Sequence, residues 1–126
     1  MCIPVIKGTE PCRRSFYAVY DGHGGSSCSE YLALYFHKEL ALHPKLKYAP
    51  SQALQEVWRA MDEKYLADMQ RKVNRNELRV LPVDGSTATI ALIIDNEVYI
   101  ANCGDSPAFA ISANGLIKQV TEDHST

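Results

Sequence analysis

Asp21-Gly22-His23-Gly24-Gly25 brings a carboxylate, an imidazole and glycines together directly after the apolar run from Phe16 to Tyr20. A carboxylate with backbone carbonyls beside it suits a hard divalent cation. An imidazole that titrates near neutrality suits proton transfer. The glycines open backbone angles closed to other residues and let the main chain approach a ligand. Two more acids interrupt apolar stretches downstream. Asp105 follows Tyr99-Ile100-Ala101-Asn102-Cys103-Gly104, and Asp123 stands in Thr121-Glu122-Asp123-His124. A buried carboxylate is costly unless it is paired or binds a metal. Acids at strand ends can converge on one rim of a sheet, although turn capping is the commoner role for an aspartate in such places. His37 and His43 read as exposed helix residues. His23, flanked by glycines, has no helix face or core to fill.

The elements that must position these residues can be read from periodicity. Phe16 to Tyr20 is rich in aromatic and β-branched residues and reads as a strand, with Asp21 at its end. Residues 1–15, with Pro4, Gly8 and Pro11, read as an irregular leader. Ser27 to Glu30 is a capping-box pattern. Leu32, Tyr35, Phe36 and Leu40 follow at helical spacing, so a first amphipathic helix is expected from Ser26 to His43, ended by His43-Pro44. A second follows Pro50-Ser51, its apolar stripe formed by Leu54, Val57, Trp58, Met61, Tyr65 and Met69. The two are expected to form an antiparallel pair covering a sheet. Arg71 to Arg79 reads as a helix end running into a solvated loop. From Gly85 the pattern turns to strand. Thr87 to Ile94 is apolar and β-branched enough to predict burial on both faces. Asp95-Asn96 suits a hairpin turn, with a return strand from Glu97 to Asn102. A strand over Ala108 to Ser112, a turn at Asn114-Gly115 and a strand over Leu116 to Val120 complete an α+β layered domain.

Composition sets bounds. A chain of 126 residues is one domain or part of one. It is 46% apolar and 22% charged, which fits a soluble globular protein. A net charge of −2 offers no basic field for nucleic acid. Cys2, Cys12, Cys28 and Cys103 form no Cys-x-x-Cys pair, and their irregular spacing argues against a disulfide framework. No run has membrane-spanning length, and no signal peptide or myristoylation glycine is present. The expected setting is intracellular, cytoplasmic or nuclear. The glycine-rich turn lacks the Gly-Lys-Ser/Thr ending of a phosphate loop. No Gly-x-Ser-x-Gly elbow points to a serine hydrolase.

Four segments in order carry a further signal: Phe-Tyr-Ala-Val-Tyr-Asp-Gly-His-Gly-Gly at 16–25, Asp-Gly-Ser-Thr-Ala at 84–88, Tyr-Ile-Ala-Asn-Cys-Gly-Asp-Ser at 99–106 and Thr-Glu-Asp-His at 121–124. With these, the chain resembles the metal-dependent protein serine/threonine phosphatases of type 2C. The resemblance implies an α-β-β-α sandwich, of which residues 16–126 would form about the N-terminal half. It implies that Asp21 bridges two catalytic metal ions, that the Gly22 carbonyl completes one coordination sphere, and that Asp105 serves a further, weaker metal site. It implies that His23 is the general acid, protonating the departing serine or threonine oxygen. The cofactor would be Mg2+ or Mn2+, which suit oxygen ligands and retained waters better than zinc does. The substrate would be a phosphoprotein, and the complete protein a monomer acting without nucleic acid or membrane. Gly85-Ser86-Thr87 would be largely structural.

The sequence also departs from the family. Residues 1–15 reproduce neither the upstream phosphate-binding arginine nor the upstream acidic metal ligand, and Arg13, Arg14 and Glu10 do not take those roles. Pro107 stands where the family usually has arginine. The downstream metal-binding aspartates are absent. The expectation is therefore a truncated phosphatase that binds its metals weakly alone, with a catalytically inactive, partner-binding module as the alternative. A half domain would leave strand edges and one side of its core uncovered.

Overall fold

Three β-rich runs, starting at Arg14, Ala88 and Glu97, pair side by side. The computed structural model of the chain describes residues 13–124. Its elements are β1 (Arg14–Val19), β2 (Gly22–His23), α1 (Ser27–Ala41), α2 (Pro50–Asn74), β3 (Gly85–Ser86), β4 (Ala88–Ile94), β5 (Glu97–Cys103), β6 (Phe109–Ile111) and β7 (Ile117–Gln119). They fall into two units. One comprises the described residues up to Asp21 and from Thr87 onward, and the other is Gly22–Ser86. Antiparallel strands with a separate helix pair make this the expected α+β class.

In the first unit, β1, β4 and β5 form an antiparallel sheet with β4 in the middle. The register places Phe16 opposite Leu92 and Leu92 opposite Tyr99, with Tyr17, Ala91 and Ile100 one step along. Side chains alternate between faces. Phe16, Ala88, Ile90 and Leu92 are therefore buried on one face. The other face is open, with Tyr17 58%, Val19 61% and Val98 58% exposed. Burial of β4 on both faces is thus corrected. Its alternate residues Thr89, Ala91 and Ile93 are only half-buried, and the apolar run includes side chains left partly uncovered by the described residues.

The hairpin turn falls at Asp95-Asn96 as expected, with Asp95 in the left-handed region at φ 52°. Aspartate tolerates this angle better than most residues. Asp95 donates its amide to the Arg13 carbonyl at 2.8 Å and accepts the Arg13 amide on Oδ1 at 3.1 Å. These bonds extend the ladder, and β1 begins at Arg14 rather than Phe16. The rest of the expected leader lies outside the described residues, apart from Arg13 to Ser15. β6 and β7 form a ribbon of their own rather than continuing the sheet. Pro107, which has no amide for a ladder, stands in the break.

In the second unit, α1 and α2 run antiparallel. Tyr31 meets Tyr65 with ring centroids 5.3 Å apart, and Phe36 meets Trp58 at 5.7 Å, so positions rise along one helix as they fall along the other. Phe36 and Leu40 are buried, as are Ala53, Leu54, Val57, Met61, Tyr65 and Met69. On α2 that is the predicted stripe, with Ala53 added and Trp58 half-buried; on α1 Leu32 is only half-buried and Tyr35 is exposed. Pro50 opens α2, where a missing amide costs nothing. α1 stops at Ala41, short of His43, because the residue before Pro44 is disfavoured in helical geometry.

The start of α1 differs from expectation. Ser27 lies inside the helix, Ser26 takes the cap position, and no side-chain capping bond forms there. Instead, Asp84 accepts the Cys28 amide on Oδ2 at 2.7 Å. A tertiary carboxylate has replaced the local capping box, and its charge also suits the positive end of the helix. Asp84 Oδ1 accepts the Tyr65 hydroxyl at 2.6 Å. Cys28 and Cys103 are free thiols, and Cys2 and Cys12 lie outside the described residues. No helix of the described residues is long and apolar enough to cross a membrane.

Burial opposes the ionised form of Asp84, but the hydrogen bonds from Tyr65 and the Cys28 amide outweigh it and hold the carboxyl below its ordinary range. Burial, followed by the bond to Asp84, pushes the Tyr65 hydroxyl up to about 12. A depressed folded-state value stabilises above the unfolded value of about 3.9, and the contribution is lost as pH falls through the folded value. The urea midpoints of the chain and its Asp84→Asn variant should therefore differ near neutrality and converge below about pH 4. A gap that stays constant on acidification would show that the charge of Asp84 is not stabilising.

Candidate metal centre

β1 carries the chain out of the sheet, and Asp21 is exposed two residues beyond its end. Thr87, just ahead of β4, holds it there. The Thr87 amide donates to the Asp21 carbonyl at 2.9 Å, and the Asp21 amide donates to Thr87 Oγ1 at 3.2 Å. The same hydroxyl lies 2.7 Å from Ser106 Oγ, and Thr89 donates to the Ser106 carbonyl at 2.6 Å. One threonine thus ties the backbone of Asp21 to the residue that follows Asp105.

Asp105 sits in the turn after β5. Gly104 adopts φ 107°, and a Cβ there would stand 2.7 Å from Thr87 Cγ2, so glycine is required by both angle and space. The last described residues brace this turn. Gly104 donates its amide to His124 Nδ1 at 3.1 Å, the His124 amide returns to the Gly104 carbonyl at 2.9 Å, and Asn102 Nδ2 donates to the Glu122 carbonyl at 2.7 Å. Asp123 lies apart from that role and accepts from Gln119 Nε2 at 3.2 Å.

Asp21, Asp105 and Ser106 line one open cleft of about 520 Å3 with Tyr17, Val19 and Ile100. The cleft therefore lies over the open face of the sheet. Gly22 and His23 belong to the other unit, where they form β2 and pair with β3. A Cβ on Gly22 would stand 2.7 Å from Ser29 Oγ and 3.0 Å from the Gly25 carbonyl, so the turn closes tightly there. His23 is exposed.

Two carboxylates facing one cleft are hard oxygen donors of the kind that hold Mg2+ or Mn2+. They fit such an ion, but as part of a ligand set. No group of three or more histidine, cysteine, aspartate or glutamate side chains among the described residues could hold a metal. Sequence reasoning put forward Asp21, Gly22, His23 and Asp105 as candidates. It read Thr87 as largely structural and gave no role to His124. The signal was only that both stand inside the recurring segments.

The profile of the family Protein phosphatase 2C matches residues 5–126. The chain belongs to the protein phosphatase 2C family. It is 36% identical over 110 residues to Probable protein phosphatase 2C 52 of Oryza sativa subsp. japonica, covering 87% of this chain and 21% of that protein. It is 33% identical over 110 residues to Protein phosphatase 1F of Homo sapiens, covering 87% of this chain and 22% of that protein. Among solved structures, a C. elegans sex determining protein superposes with a TM-score of 0.66 at 27% identity, covering 94% of this chain and 28% of that one. Serine-threonine phosphatase 2C from Toxoplasma gondii superposes with a TM-score of 0.70 at 20% identity, covering 94% of this chain and 42% of that one, and shares the fold. The chain thus spans between about a fifth and two fifths of the length of these relatives.

Phosphatases 2C are in general dependent on Mg2+ or Mn2+. In this member the unit containing Asp21 and Asp105 stands on Thr87. Thr87→Val keeps the methyl against Gly104 and removes the hydroxyl shared by Asp21 and Ser106. The expected cost is about 1–2 kcal/mol, seen as a lower urea midpoint. Thr87→Ser, which keeps the hydroxyl, should recover part of that loss. Equal stability of the Val variant and the original chain would show that the hydroxyl holds neither strand end.

Proposed function

We propose that this chain carries part of the catalytic site of a metal-dependent phosphatase acting on phosphoserine and phosphothreonine in proteins. The observation that carries this reading is the pair Asp21 and Asp105, which line one cleft at matched strand ends, with Thr87 bonded to the Asp21 backbone and to Ser106, the residue after Asp105. Family membership supplies the reaction class. When bound, Mg2+ or Mn2+ would lower the pKa of a water and neutralise phosphoryl oxygens. Asp21 and Asp105 would hold the ions through their carboxylates, with the Gly22 carbonyl as a further ligand. His23 would give its proton to the serine or threonine oxygen as the bond to phosphorus breaks. The same reading makes a phosphoprotein its partner and the cytoplasm or nucleus its setting.

One observation favours a second reading. Among the described residues no three candidate ligands gather, as a high-affinity site requires. On that reading the chain is a catalytically inactive phosphatase-like module that binds a partner protein.

Two measurements test the proposal. Paramagnetic broadening by Mn2+ should fall on the Asp21 and Asp105 amides, with weak affinity, and Asp21→Ala should weaken it about tenfold or more. Release of phosphate from a phosphothreonine peptide should require Mn2+ and be slow, and should disappear in Asp21→Ala. Broadening without any phosphate release would favour the binding module. Phosphate release that survives Asp21→Ala would refute the assignment of Asp21.

A further inference from the structure

Asp84 is bonded to more of the Gly22–Ser86 unit than a loop aspartate needs. Its Oδ2 accepts the Cys28 amide in the first turn of α1, and its Oδ1 accepts the Tyr65 hydroxyl of α2. Each oxygen therefore holds a different helix. Residues 83 and 84 also lie against the glycine turn. A Cβ on Gly24 would stand 3.1 Å from the Val83 carbonyl oxygen, and one on Gly25 would stand 3.4 Å from Asp84 Cβ. Both glycines have positive φ, so the approach and the angles reinforce each other.

The next residue carries the consequence. Gly85 pairs with His23 in the β2–β3 ladder. A Cβ on Gly85 would stand 2.6 Å from His23 Nε2 and 2.9 Å from its Cε1. The imidazole thus rests against the bare Cα of Gly85, and its place depends on where residue 85 is held. The ladder cannot hold residue 85 alone. Each strand is two residues long, far shorter than a pairing that is stable by itself. Outside anchors are required, and Asp84, next to Gly85, supplies one on each helix. Hydrogen bonds to an ionised carboxylate are shorter and stronger than neutral ones, which suits that task. The carboxylate also occupies the amide end of α1, where a free anion would otherwise be attracted.

We propose that Asp84 is a positioning residue for His23, fixing the imidazole through Gly85 by anchoring β3 to both helices. This rests on the reading of His23 as the general acid. In the full chain, NMR should show strong nuclear Overhauser contacts between the His23 ring protons and the Gly85 α-protons. Asp84→Asn should keep them, because its amide can accept from Cys28 and donate to the Tyr65 oxygen. Asp84→Ala should lose them, with amide exchange in β2 and β3 accelerated about tenfold. Val57→Ala, a core change remote from Asp84 in sequence, should leave them in place. Contacts of full intensity in Asp84→Ala, or their equal loss in Val57→Ala, would overturn the proposal. If Asp84→Ala fails to fold, Tyr65→Phe decides, since it removes one anchor. Weakened contacts in that folded variant support the proposal, and unchanged contacts overturn it. Mn2+ broadening at the Asp21 amide, read on the same samples, reports on the metal reading separately. Its absence would remove the catalytic role of His23, while the contact pattern would still decide whether Asp84 places the ring.

Discussion

The register of β4 between β1 and β5 is the constraint on which the candidate centre depends. Two antiparallel reversals restore the original direction, so β1 and β5, on opposite sides of β4, finish at the same end of the sheet, where β4 begins. Asp21 leaves one end, Asp105 leaves the other, and Thr87 stands between them. A slip of one residue would turn every side chain of a strand to the other face. It would expose Ile90 and Leu92, which are fully buried, and would remove Thr87 from between the acids. The same burial that stabilises the sheet therefore fixes the geometry of the cleft.

Around this ladder the polar contacts are short in sequence cost and long in reach. Thr87 and Ser106 are joined by a single hydrogen bond, and His124 closes on Gly104 from the end of the described chain. In each case the partner meets a backbone that has little freedom left. Gly104, held at positive φ against the Thr87 methyl, is the clearest example. On the open face of the sheet Thr89 bonds to the Ser106 carbonyl, while the aromatic and aliphatic side chains beside it form both the wall of the cleft and an exposed apolar surface.

In the Gly22–Ser86 unit, the same logic works through one carboxylate. Local sequence offers Ser27 and Glu30 as a cap for α1, yet Asp84 does that work from far along the chain. A charged acceptor binds an orphan amide more strongly than a hydroxyl does and also complements the helix dipole. Ser27 is free to enter the helix, where its hydroxyl lies 4.0 Å from the Met69 sulfur. The glycine turn and β3 then take their places around Asp84.

Local pattern was enough for the class of the fold, the two helices and the hairpin at Asp95-Asn96, and it put forward Asp21, His23 and Asp105 as candidates, while the family resemblance added Gly22. Those features rest on information a few residues wide: apolar period, turn chemistry, and an acid or histidine where neither helix nor core wants one. What it could not give was the partner of each such residue. Thr87 and Ser106 are far apart in the chain, as are Cys28 and Asp84, and nothing local distinguishes a threonine that joins two strand ends from one that only fits a strand. The burial of one face of β4 and the exposure of the other were equally hidden, because an apolar run reads alike whether one face or both are covered. These points depend on the folded chain, since hydrogen bonds and contacts between distant residues form after register and packing have brought them within reach.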